Sequence, residues 1–120
     1  MEEKQVSVEQ MVKLIYGAID DKLGTDISII KISEVSSLCD YFVIATASSQ
    51  RQVKAVVDSV EDALSEIGIE PRGKEGLDTK QWVLLDYMDV IVHVFDEENR
   101  AFYNLEKLWK DAPSIDIEEL

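Results

Sequence analysis

Apolar positions recur along the chain in two rhythms, and each change of rhythm marks an element. Val8, Met11, Val12, Ile15, Ala18, Ile19 and Leu23 follow at helical spacing. Ser7 opens that run and Gln10 stands three residues on, the pairing that satisfies free amides at a helix start. Gly24 stands where a C-cap is expected, so a helix is predicted over 8–23. A second run, Val53, Val56, Val57, Val60, Ala63, Leu64 and Ile67, opens on Ser49 and Gln52 as another capping box and closes at Gly68.

Between and after these helices the pattern tightens. Ile27–Ile32 is short and β-branched, and Tyr41–Thr46 is a nearly continuous apolar run, the signature of a strand buried on both faces. Ser33–Asp40 is a polar connection. Ile69–Arg72 is expected as a brief edge strand, because Pro71 is tolerated there. Gln81–Asp86 and Asp89–Phe95 read as a hairpin through Tyr87 and Met88, with Asp86 facing Asp89, Leu84 facing Ile91 and Trp82 facing His93. One side of that hairpin, Val83, Leu85, Val90, Val92 and Val94, is wholly aliphatic and belongs to a core. Glu97–Trp109 resumes helical spacing, with Phe102, Leu105, Leu108 and Trp109 on one side, and Pro113 stops it. The order predicts an α/β domain: a mixed sheet of about five strands with helices packed against it, over 1–113. Residues 114–120 (SIDIEEL) read as an acidic C-terminal tail.

Composition narrows the function. Of 120 residues, 12 are basic and 25 acidic, a net charge of −13, and 46% are hydrophobic. Such a chain is expected to fold as one domain and not to grip DNA or RNA mainly through phosphates; it fits a protein that avoids free nucleic acid or meets a basic partner. Residues 61–120 carry 6 basic and 16 acidic groups, so for a basic partner the second half is the expected contact. No apolar run approaches the ~20 residues that span a bilayer, and MEEKQVSVEQ has no apolar signal core, so a cytoplasmic location is expected, with no membrane partner. The single cysteine, Cys39, forms no internal disulfide.

Candidate chemistry is sparse. The lone His93, inside a strand, reads as a packed residue and Cys39 as a small hydrophobe, so no catalytic residue and no cofactor are assigned. Arg51 and Lys54 lie in the first turns of the second helix, where they oppose the dipole; they are solvated side chains or contacts for an anion or an acidic partner. Asp86 and Asp89 suit a turn better than a metal. The stronger lead is large side chains. Trp82, Tyr87 and Met88 cluster at the hairpin, and Tyr103 and Trp109 lie near the last helix. They complete the core or form an interface, where aromatics and Met are enriched.

Several segments, in order, carry a resemblance: Asp40–Thr46 (DYFVIAT), Arg51–Ala55 (RQVKA), Glu75-Gly76, Trp82–Tyr87 (WVLLDY) and Asp89–Phe95 (DVIVHVF). Glu98, Arg100, Phe102-Tyr103, Leu105-Glu106, Leu108-Trp109 and Asp111-Ala112-Pro113 follow. The chain resembles the ribosomal silencing factor family, also called the Iojap or RsfS family, over about residues 7–113. The resemblance implies a nucleotidyltransferase-like core without that activity. It implies binding to the large ribosomal subunit through its ribosomal protein fourteen, which blocks joining of the small subunit and lowers translation under nutrient limitation. With that partner, Trp82, Leu84, Asp86, Tyr87, Met88, Asp89 and Tyr103 are the expected protein contacts, and Arg51 and Lys54 the expected RNA contacts. Homodimerisation of the free protein through a sheet face or strand edge is a further expectation. The alternative is a divalent-metal-dependent nucleotidyltransferase-like enzyme using Asp86, Asp89 and the Ser48/Ser49 helix start. One departure stands out: the family pattern at the hairpin commonly reads Asp-x-Gly-Asp, and Met88 occupies the Gly place, a strain of about 1–2 kcal/mol if φ is positive there.

Overall fold

A computed structural model describes residues 6–120; residues 1–5, the start of the expected domain, lie outside the described residues. Helix α1 spans Val8–Asp21, two residues shorter than the periodicity predicts. Its capping box forms in full, Gln10 N donating to Ser7 Oγ at 3.1 Å and Ser7 N to Gln10 Oε1 at 2.9 Å. Past the helix the left-handed residue is Leu23 (φ 65°), and not Gly24. Gly24 is required for packing instead, since a Cβ there would lie 2.5 Å from Ile19 Cγ2.

Helix α2 spans Gln50–Ser65. Only half of its expected capping box forms. Ser49 Oγ accepts from Gln52 N at 3.1 Å, but the Gln52 side chain reaches elsewhere. Its oxygen accepts from Ser48 N and Oγ, and its amide nitrogen donates to the carbonyls of Lys22 and Leu23. Gln52 therefore ties the start of α2 to the end of α1.

Five strands form one mixed sheet: β1 Thr25–Lys31, β2 Tyr41–Ala47, β3 Gly73–Glu75, β4 Trp82–Asp86 and β5 Val90–Asp96, in the order β1-β2-β5-β4-β3. Among the described residues only the central pair β2/β5 is parallel, their connection running through α2, β3 and β4. Ile32, expected in β1, instead opens a 3₁₀ turn over Ile32–Glu34. The edge strand is Gly73–Glu75 rather than Ile69–Arg72. Gly76 (φ 86°) ends it, and a Cβ there would sit 1.9 Å from the Trp82 carbonyl oxygen, so only glycine fits.

The hairpin register also differs from expectation. Asp86 faces Ile91, Leu84 faces His93 and Trp82 faces Phe95. Tyr87 N donates to the Val90 carbonyl at 3.0 Å, which leaves Met88 and Asp89 at the tip. The slip is two residues in pairing. Because strand side chains alternate with period two, an even slip leaves every residue on its predicted face.

Those faces build two cores. On one, Ile29, Val43, Val83, Leu85, Val90, Val92 and Val94 pack against α1 and α2. On the other, Ile30, Phe42, Ile44, Ile91 and Phe95 are covered by Leu105, Trp109 and Ala112 of the C-terminal region. The expected single helix over Glu97–Trp109 is two short ones, α3 Glu97–Tyr103 and α4 Leu105–Leu108, broken at Asn104 (φ 45°, ψ 62°). Residues 113–115 then run along β1: Lys31 N donates to the Pro113 carbonyl at 2.9 Å and Ile115 N to the Ile29 carbonyl at 2.8 Å.

Candidate partner-binding surface

The C-terminal helices are fixed on the sheet by one polar cluster. Arg100, on α3, donates to Thr46 Oγ1 at 2.8 Å and Ser28 Oγ at 3.2 Å, and pairs with Glu106. Burial alone would raise the Glu106 carboxyl. Hydrogen bonds from Arg100 and Ser28, with the guanidinium charge, outweigh it and hold the group below its usual value. With α3 anchored, the break at Asn104 turns Leu105 and Trp109 toward the sheet. It leaves Phe102 and Leu108, which a continuous helix would place with them, 76% and 73% exposed.

Phe102, Tyr103 and Leu108 share a shallow groove of about 450 Å³ with Asn104 and Lys107. Tyr103 joins the groove to the sheet. Its ring lies 5.0 Å from Phe102 and 4.6 Å from half-buried Trp82. Trp82 stacks on Phe95 at 5.0 Å, and its Nε1–H donates to His93 Nδ1 at 3.1 Å. His93 is therefore a neutral imidazole carrying its proton on Nε2. Burial among Phe42, Trp82 and Phe95 pushes it down to about 4.

The expected contact residues do not form one group. Trp82 and Tyr103 lie at one end of β4, and Leu84 is half-buried on the same face. Met88 and Asp89 lie beyond its other end, at least ~13 Å from Trp82 by strand rise. Tyr87 is a correction: it is 5% exposed and faces the α1/α2 core, where burial, then Glu61 and Glu70, raise its hydroxyl. Alternation explains this, because Tyr87 follows Val83 and Leu85 on the aliphatic side. Asp86 is already engaged, its Oδ2 3.1 Å from Arg72 Nε and its Oδ1 accepting from Met88 N at 2.8 Å. Met88 has the positive φ (74°) that its place in the family pattern implied, and it is exposed.

Arg51 and Lys54 are exposed, but Lys54 Nζ is 2.7 Å from Asp58 Oδ2, which offsets its charge. Ser48 and Ser49 follow β2, whereas Asp89 lies at its start, where its carbonyl accepts from Tyr41 N. The length of β2, about 20 Å, separates the two parts that the nucleotidyltransferase alternative would combine.

Phe102 and Leu108 were missed as surface residues because the helical rhythm groups them with buried Leu105. The signal was Asn104, a residue that tolerates the left-handed conformation and so breaks helices. The Leu38 side chain, exposed beside the hairpin tip, gave no signal at all.

Comparisons with known proteins agree with this architecture. A ribosomal silencing factor RsfS of Bacillus subtilis is 41% identical over 92% of this chain and 93% of its own length. One from Halalkalibacterium halodurans is 38% identical over 94% and 97%. A crystal structure of a Chromobacterium violaceum protein superposes with a TM-score of 0.85 at 38% identity, covering 88% of each chain. The model of the family described as "Ribosomal silencing factor during starvation" matches residues 5–120, and the chain belongs to this RsfS family.

Proposed function

We propose that the chain is a translation repressor of the cytoplasm. It binds the large ribosomal subunit through its ribosomal protein fourteen and sterically keeps the small subunit from joining when nutrients are scarce. The observation that carries this reading is the exposed Phe102–Tyr103–Leu108 groove, backed by Trp82, on a member of this family. Large apolar side chains held outward by an anchored helix are the usual centre of a protein interface. The net charge of −13 suits a basic ribosomal protein. Trp82, Leu84 and Tyr103 supply apolar contact, and Asp89 and Met88 a second contact at the hairpin tip. Arg51 is the side chain left for an RNA phosphate. The repressor acts by occupancy, without a cofactor, and a homodimer of the free protein would have to open if it used the same groove.

Co-sedimentation with isolated large subunits, small subunits and joined ribosomes at physiological salt tests this reading. Selective, stoichiometric binding to large subunits is expected. Phe102→Ser with Tyr103→Ala removes an interface centre and should cost about 2 kcal/mol or more, roughly 30-fold in affinity, with the fold intact. Tyr87→Ala is unsuitable, because it opens a core cavity. Equal binding to both subunits, or an unaffected double variant, would refute the assignment.

A further inference from the structure

A second concavity lies beyond the other end of β4. It is an open cleft of about 520 Å³ between the Ser33–Asp40 connection and the hairpin tip, lined by Ser33, Ser36, Leu38, Asp40, Met88 and Asp89 among others. Its walls are tied together, since the Asp89 carbonyl accepts from Asp40 N at 2.8 Å and from Tyr41 N at 3.1 Å. Leu38 and Met88 are 54% and 55% exposed, and the positive φ of Met88 holds that side chain at the tip. Among the described residues, no basic side chain lines the cleft. The negative field there is felt by Cys39 in the same wall, whose thiol burial pushes up to about 11 with help from Asp40, Asp86 and Asp89. Asp86 is paired with Arg72, but neither the Asp40 nor the Asp89 carboxylate makes an internal hydrogen bond among the described residues.

We infer that this cleft receives a lysine or arginine side chain presented by a basic protein partner. The aliphatic stem lies against Leu38 and Met88, and the cationic head between Asp40 and Asp89. Long basic side chains have this two-part character, an apolar stem and a charged tip. A nucleic acid is the wrong occupant, because its phosphates would meet two uncompensated carboxylates. The inference rests on the proposed reading that the partner is a ribosomal protein, and it adds a second, electrostatic anchor to the aromatic groove.

Asp40→Asn with Asp89→Asn removes both charges and no internal bond, so the fold is retained. Titrating the full chain, labelled with ¹⁵N, with a short alternating Arg-Leu peptide tests the cleft without the ribosome. Amide shifts concentrated at residues 33–40 and 86–90, with affinity at least tenfold weaker in the double variant, are expected. Shifts spread over the acidic surface, or unchanged in the variant, would overturn the inference. On isolated large subunits the variant should also bind at least tenfold more weakly. Wild-type affinity there, with Phe102→Ser/Tyr103→Ala still defective, overturns the cleft and leaves the proposed function standing. If the wild-type chain binds no large subunit, the proposed function fails and the peptide titration decides the cleft alone. A photo-crosslinker replacing Leu38 should join a protein; a crosslink to RNA would also overturn it.

Discussion

At the scale of single residues, His93 shows how a buried side chain shapes a surface. Its Nδ1 accepts the Trp82 indole proton, and Trp82 in turn supports Tyr103. Its Nε2 is buried without a partner among the described residues. A proton on Nδ1 would remove the acceptor and place a charge among aromatic rings, which is why burial pushes the group down to about 4. The sign for stability follows. Between pH 6.5 and 4 the unfolded chain takes up a proton that the folded chain refuses, so folding stability falls as pH falls through that window. The loss is on the order of a few kcal/mol by pH 4.5. The low Glu106 value acts mainly below that window, because its contribution is lost only as its own carboxylate protonates. Urea midpoints at pH 6.5, 5.5 and 4.5 check this, with His93→Leu as the comparison. The variant is expected to lose the His93 part of the slope and keep the carboxylate part. Equal slopes in the two proteins would remove His93 as the cause.

At the scale of elements, the closing segment is a working part of the sheet. Ser114 bridges to Ile30 along the free edge of β1, and Ile115, Ile117 and Leu120 pack against the α1/α2 core, so residues 113–120 pass from one face of the sheet over its edge to the other. Ending the chain after Pro113 should cost about 2–3 kcal/mol, from three half-buried aliphatic side chains. It should also bare a strand edge that recruits a second copy. A lower denaturation midpoint, with concentration-dependent association in size-exclusion chromatography, is the expected result; an unchanged midpoint would mean that the segment adds nothing. SIDIEEL reads as an acidic tail because its three apolar residues are outnumbered and their destination is a distant strand. Sequence showed well what period alone decides: two amphipathic helices, the buried β2, and the face of every residue in β4 and β5. It showed poorly what single backbone conformations decide. The hairpin tip shifted because Met88 adopts positive φ, and the last helix broke because Asn104 does. The surface inherited both errors: Tyr87 moved inside with its strand parity, and Phe102 and Leu108 moved outside with the break.

At the scale of the whole molecule, charge decides how a partner is approached. The net charge of −13 is carried mostly by residues 61–120, which include the hairpin tip and the C-terminal helices, where Arg100, Lys107 and Lys110 stand among Glu97, Glu98, Glu106 and Asp111. Such a molecule is drawn to a basic protein surface and repelled by bare RNA, and both effects are screened over a Debye length of roughly 10 Å at 0.1 M salt. The two forces predict opposite salt effects on the association rate. If encounter is guided by the acidic surface meeting a ribosomal protein, the rate with large subunits should fall as salt rises from 50 to 500 mM, by about tenfold. If repulsion from ribosomal RNA dominates the approach, the rate should rise. Stopped-flow mixing at a series of salt concentrations gives the sign directly. Dissociation, governed by the apolar groove once docked, should change much less across the same range. A rate that rises with salt would place the encounter on RNA and leave the aromatic groove to act only after a slow search.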